Sequence, residues 1–139
     1  MSANVEETEM TMQNDAVTSG RTVLVHAELG ADGALRPVVA ELLGAAATVG
    51  VPEAVLVTGA ATQDAAVARL GELGAARVHV LVAEDAAGTL GDAAVQALAA
   101  VTARTAPVAV LLSGSPESRA VAGRLSVRAR DPQCAGAPA

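Results

Sequence analysis

Residues 22–50 read TVLVHAELGADGALRPVVAELLGAAATVG. The run Thr22 to Ala27 is apolar almost throughout, which suits a strand covered on both faces of a parallel sheet. From Val38 the period changes. Val38, Leu42, Ala45 and Val49 fall on one helix face, Pro37 is a first-turn residue whose missing N–H costs nothing, and Gly50 is a terminator. Strand, turn and helix in that order is where nucleotide-binding folds place a phosphate loop, so the turn Ala31-Asp-Gly-Ala-Leu35 decides what this one holds. Gly30, Gly33 and Gly44 have the wrong spacing for a Gly-x-Gly-x-x-Gly fingerprint, and a P-loop needs the lysine that this chain lacks. Asp32-Gly33 reads as a surface turn.

The same rhythm recurs three times. Ala54 to Thr58, Arg77 to Val82 and Val108 to Ser113 are predicted strands, each continuously apolar rather than alternating. A second helix is expected from Thr62, with Asp64 in its first turn, Val67 and Leu70 buried, and an end near Gly74. A third runs from about Thr89 through Val95, Leu98 and Val101 until Pro107 restarts the chain. Ser115-Pro-Glu-Ser118 opens a fourth with a serine cap, a first-turn proline and an acidic residue, followed by Val121 and Leu125. Four strand-helix units with right-handed crossovers predict an α/β fold, an open parallel sheet of about four strands with helices on both faces.

Residues 1–20 are polar and aperiodic and hold three methionines, Met1, Met10 and Met12, so they are expected to form a disordered leader or to precede the true start. The folded domain is placed at 21–130, and 131–139, rich in Pro, Gly and Ala, is expected to be a disordered tail.

With 52% hydrophobic residues and no Phe, Trp or Tyr, the core must be built from Ala, Val and Leu, each burying little area. A net charge of -6, with arginine as the sole basic residue type besides histidine, argues against nucleic acid as the main partner. One cysteine, Cys134, allows neither a disulfide framework nor a metal cluster within the chain. The acidic start Ser2 to Glu9 lacks the basic and apolar blocks of a secretory signal, and no apolar stretch is long enough to span a membrane. The expectation is a soluble, cytoplasmic protein.

Ligands of open α/β sheets sit beyond the carboxyl ends of the strands, where the strand order reverses. For an order 3-2-1-4 the crevice would have His26 and Glu28 on one side and Ser113, Gly114, Ser115 and Arg119 on the other. Ser113, Ser115 and Arg119 form a candidate anion pocket at the start of the fourth helix; the competing reading is a capped helix with Arg119 in water. A nucleophilic triad is not supported, because Ser113 and Ser115 lack a Gly-x-Ser-x-Gly elbow, and no catalytic residue is assigned. His79, inside a strand, reads as a hydrogen-bonded core or edge histidine, and Glu84-Asp85 as solvated loop charges.

Taken together, Val23-Leu-Val-His-Ala-Glu28, Asp32-Gly-Ala-Leu35 and Glu41-Leu-Leu43 with Ala45 to Gly50 resemble the opening of the electron transfer flavoprotein alpha subunit. Val55 to Gly59, Leu73-Gly-Ala-Ala-Arg-Val78, Val110-Leu-Leu112 with Arg119 and Ala122-Gly-Arg-Leu125 extend the similarity in order, from Arg21 to Arg128. The resemblance departs at Leu73, where tyrosine is common, and at Ser115-Pro-Glu-Ser118. It implies a Rossmann-like domain of the adenine nucleotide alpha hydrolase-like superfamily, and a scaffold and docking part of an electron-transfer system rather than an enzyme. It also implies a heterodimer with a beta-type subunit. In that family flavin adenine dinucleotide (FAD) is held mainly by a carboxyl-terminal domain, so the resemblance implies a truncated or split product that binds no FAD by itself. The alternatives are a small adenine-nucleotide-binding module of universal-stress type, using the crevice near Ser115 and Arg119, and a degenerate remnant. The universal-stress reading lacks its Gly-x-x-Gly and Gly-Ser phosphate pattern here.

Overall fold

Short Val- and Leu-rich segments that cannot satisfy their main chain alone line up as strands, and the amphipathic stretches between them cover the two faces so formed. The computed structural model describes residues 5–9, 21–84 and 87–129. In chain order the elements are β1 (Val5–Glu9), β2 (Thr22–His26), α1 (Val38–Val49), β3 (Val51–Thr58), α2 (Ala60–Glu72), β4 (Arg77–Val82), α3 (Ala87–Thr105), β5 (Ala109–Leu111) and α4 (Pro116–Ala129). The sheet order is β1-β4-β3-β2-β5. Strands β2 to β5 are mutually parallel, in the 3-2-1-4 arrangement that places a reversal at β2.

Strand alternation divides the core in two. Val23, Val25, Ala54, Leu56, Val78 and Val80 face α1 and α2, whereas Leu24, Val55 and Leu81 face α3 and α4. In α1 the buried stripe is Val39, Leu43 and Ala46. That corrects the stripe expected from the sequence by one position: Val38 and Leu42 are half-buried, Ala45 is exposed and Val49 is 46% exposed. Both stripes are apolar, and the docking angle of the helix, which no local pattern encodes, selects between them. Gly50 then passes so close to Arg21 that an added Cβ would strike the Arg21 carbonyl oxygen, which accepts the Val51 N–H at 2.7 Å. A glycine is needed there for contact, not merely to stop the helix.

Two further departures concern strands. β3 begins at Val51, three residues ahead of its expected start, because Pro52 and Glu53 hide the strand in the sequence while the register still sets Pro52 against Val23. Within the stretch expected to be a disordered leader, Val5–Glu9 pairs antiparallel with β4, in a register that sets Glu7 against His79 and Glu9 against Arg77. An edge strand needs main-chain pairing on one side only, so a polar sequence can supply it. The expected tail at 131–139, with Cys134, lies outside the described residues, as do residues 1–4 and 10–20 of the leader.

Beneath α3 the core is polar at one place. His79 is fully buried, as the hydrogen-bonded core reading anticipates; its Nε2 lies 2.8 Å from Glu53 Oε1 and its Nδ1 2.9 Å from an Arg104 guanidinium nitrogen. Arginine only donates, so Nδ1 accepts and Nε2–H donates to the buried carboxylate. Removing one member of such a buried set typically costs about 3–5 kcal/mol.

The corrected stripe is testable. Leu43→Ala is expected to lower unfolding free energy by about 2–5 kcal/mol, Leu42→Ala by distinctly less, and Val49→Ala by at most about 0.5 kcal/mol. Urea unfolding followed by far-ultraviolet circular dichroism measures all three, and equal losses at Leu42 and Leu43 would contradict the assignment.

Candidate functional site

Where connections leave a parallel sheet in opposite directions, the loops after the two central strands part and open a crevice. Here that point is β2, between β3 and β5. A cleft of about 700 Å³ lies at its carboxyl end, lined by residues that include His26, Glu28, Arg36, Thr58, Glu84 and Glu117.

The loop leaving β2 is shaped by its own turn. Gly33 N–H donates to the Gly30 carbonyl at 3.0 Å, Asp32 Oδ1 accepts the Ala34 N–H at 3.0 Å, and Leu29 bridges antiparallel to Leu35. The Asp32-Gly33 pair is thus a closed surface turn, and its carboxylate is engaged with its own backbone.

Across the crevice, Ser115 caps α4: its Oγ accepts the Ser118 N–H at 3.1 Å, with Pro116 as the first helical residue. The hydroxyls of this corner converge on Glu28. Ser113 Oγ donates to Oε1 at 2.7 Å, Ser118 Oγ to Oε1 at 3.1 Å and Ser115 Oγ to Oε2 at 2.9 Å, while Arg36 Nε stands 3.9 Å from Oε1. Burial alone pushes the Glu28 carboxyl up; the three serine hydrogen bonds and the Arg36 charge outweigh it, and the group titrates below the usual glutamate value. Ser113 and Ser115, two members of the candidate anion pocket, thus hold a carboxylate of the chain itself. The third, Arg119, is exposed, and its backbone N–H donates to the Ser115 carbonyl at 2.9 Å.

A second carboxylate does the same at α2. That helix starts after Gly59, which has no side chain with which to cap it, and Glu84 Oε2, from the loop after the neighbouring strand β4, accepts the Ala60 N–H at 2.8 Å. A Cβ on Gly59 would lie 3.1 Å from Glu84 Oε1, so the glycine makes room for the acid. The cap explains why a local search settles on Thr62 as the helix start. Glu84 is an exposed loop charge, as expected, and carries this cap in addition; Asp85 lies outside the described residues. Thr62 instead pairs its hydroxyl with that of buried Thr58.

His26 closes the floor. It is 8% exposed, and its Nδ1 has no hydrogen-bond partner among the described residues. Burial lowers its pKa, with Glu28 pulling weakly the other way, so the imidazole is neutral at pH 7. Sequence reading brought His26, Glu28, Ser113 and Ser115 to one crevice, and missed Ser118 and Glu84. Ser118 is findable as a third hydroxyl within the first turn after the cap; Glu84 carries no local signal. Among the described residues no three His, Cys, Asp or Glu side chains are grouped to hold a metal ion, and no helix is long and apolar enough to cross a membrane.

A doubly covered parallel sheet with this order and a crevice at its reversal point defines a Rossmann-like α/β domain. The sequence profile of the electron transfer flavoprotein domain matches residues 23–137, and the chain belongs to that family. It is 38% identical over 97 residues to an electron transfer flavoprotein subunit alpha of Mycobacterium leprae, covering 70% of this chain and 30% of that protein. To the subunit alpha of Mycobacterium tuberculosis it is 37% identical over 98 residues, covering 70% of this chain and 31% of the relative. The chain therefore spans a little under one third of the length of these curated relatives.

The Glu28 cluster predicts a specific pH dependence. A carboxyl whose folded pKa is depressed stabilises the fold fully above its unfolded pKa and loses that contribution as pH falls through the folded value. Glu28→Gln is expected to cost on the order of 1–3 kcal/mol at pH 7, with the gap to the unmodified chain closing below the ordinary glutamate range. Chemical denaturation at pH 7 and at successively lower pH reads this directly; a gap that stays constant or widens on acidification would refute it.

Proposed function

We propose that this chain is the amino-terminal type of domain of an electron transfer flavoprotein alpha-subunit-like protein. It serves as scaffold and docking part of an electron-transfer system, paired with a beta-type subunit, and carries no catalytic step of its own. The observation that carries this reading is the family match over residues 23–137 together with relatives named as alpha subunits.

The crevice chemistry supports a scaffold. In a nucleotide-binding sheet the pyrophosphate sits on helix N-termini beside the reversal point. Here the N-terminus of α4 faces the Glu28 cluster and that of α2 is capped by Glu84. A pyrophosphate would meet a carboxylate at each, so these residues do not fit FAD, and the flavin of the assembly is held elsewhere. The same charges disfavour the adenine-nucleotide module.

Because the chain has no Trp, Tyr or Phe, it is nearly transparent near 280 nm and any bound chromophore dominates its spectrum. The expected outcome is a colourless preparation that retains no FAD or adenosine monophosphate through gel filtration. After mixing with an electron transfer flavoprotein beta-type subunit, the two chains are expected to co-elute. Stoichiometric FAD on the chain alone, adenosine monophosphate retained on it, or separate elution of the two chains would each overturn the proposal.

A further inference from the structure

Local stability follows buried apolar area and main-chain pairing, and the elements of this domain are unequal in both. Leu24, Val55, Leu56, Val78 and Val80 in β2, β3 and β4 are fully buried, whereas each of the three residues of β5 is half-buried and Val108 before them is 54% exposed. Of the described side chains of α4, Ser118 and Val121 are buried, Ala122 and Leu125 are half-buried and Val127 is 67% exposed. The ion pair of Arg124 with Asp92, which joins α4 to α3, has both partners more than half exposed and contributes little. The connection into this region is strained. Ala106 ends α3, its N–H donating to the Thr102 carbonyl at 2.9 Å, and its φ of 47° lies in the left-handed region where glycine is usual. Pro107 follows, which cannot carry the helix on. Against this stand two ties: Val121 and Leu125 in the apolar cluster of Leu24, Val55 and Leu98, and the three hydroxyls on Glu28.

From this distribution we infer that residues 107–129 form a flap that opens as one unit about Ala106 and Pro107 while the rest of the domain stays folded, and that the hydroxyl clasp on Glu28 sets how often it opens. Opening breaks the three pairs between β5 and β2, the clasp, and the seats of Val121 and Leu125. It leaves intact the β2-β3-β4 ladder and the layer of α1 and α2 packed on its other face. The clasp makes the motion all-or-none. Ser115 Oγ donates to Glu28 and accepts the Ser118 N–H, so the seat of the flap and the start of α4 share one atom, while Ser113 ties the same carboxylate to the end of β5. Opening uncovers the β2 edge at Val23–Val25 and the Leu24 side chain, and it takes Glu117 and Val121 out of the wall of the cleft. Access to the cleft from the α3 side is thereby governed by one carboxylate. This inference does not rest on the electron-transfer reading.

Native-state amide hydrogen exchange on the full chain, in a series of low denaturant concentrations, tests this. The amides of β5 and α4 are expected to exchange through one shared opening, roughly tenfold or more faster than those of β3 and β4, and with a weaker dependence on denaturant because less surface is exposed. Two variants then separate flap opening from global unfolding. Glu28→Gln is expected to speed exchange in the flap roughly tenfold or more. Leu43→Val, in a helix that stays packed when the flap opens, is expected to speed β3 and β4 and leave the flap unchanged. Asp92→Asn is expected to alter flap exchange by no more than about twofold. The proposal is overturned if flap and β3 amides share one rate and one denaturant slope, or if Leu43→Val speeds both alike. It is equally overturned if Glu28→Gln leaves the flap unchanged or acts more weakly than Asp92→Asn.

Discussion

The Glu28 carboxylate holds the two halves of the domain at one point. It leaves the end of β2, and its three hydroxyl donors, Ser113, Ser115 and Ser118, come from the end of β5 and the first turn of α4, some 85 to 90 residues later in the chain. β5 is three residues long and shares a short register with β2, so main-chain pairing alone ties it weakly to the sheet. A largely buried anion whose lone pairs are mostly taken by fixed donors adds what the ladder does not. The corner where β2 meets β5 and α4 is consequently a polar joint beside the cleft, with the carboxylate as its pin.

Glu84 repeats the device at α2, and the two acids together set the electrical character of this end of the sheet. Each occupies a helix N-terminus, the position where an α/β domain is most receptive to a phosphate. The anion-receptive dipoles of the fold are retained and spent on internal carboxylates.

Much of this was legible in the sequence. The four parallel strands and the cap at Ser115 follow from apolar runs and turn residues; the 3-2-1-4 order entered as a supposition, and under it the rule of reversal points put Glu28 and the serines on opposite sides of one crevice. The family was legible from the order of small matches between Arg21 and Arg128, none of them specific by itself. What failed to show has a common cause, dependence on distant partners. The α1 stripe moved from Val38 and Leu42 to Val39 and Leu43 because both faces are apolar. Glu84 caps a helix that begins 24 residues before it, and β1 pairs across the sheet with a strand some 70 residues on. Glu53 and His79 look like isolated polar residues in strands, but on adjacent parallel strands they stand diagonal to one another, Glu53 against Arg77 and His79 against Val55, close enough for the side chains to bond.

The two margins of the sheet are unlike. On the far side the margin is β1, running against the direction of its neighbour, whereas the other margin is β5, three residues long, none of them fully buried; neither has a neighbour beyond it among the described residues. The shorter margin, Ala109–Leu111, is the one that lies directly next to the pinned joint. Because Ser113 follows β5 by two residues and bonds Glu28, the place where that margin ends and the place where α4 is anchored are nearly the same stretch of chain.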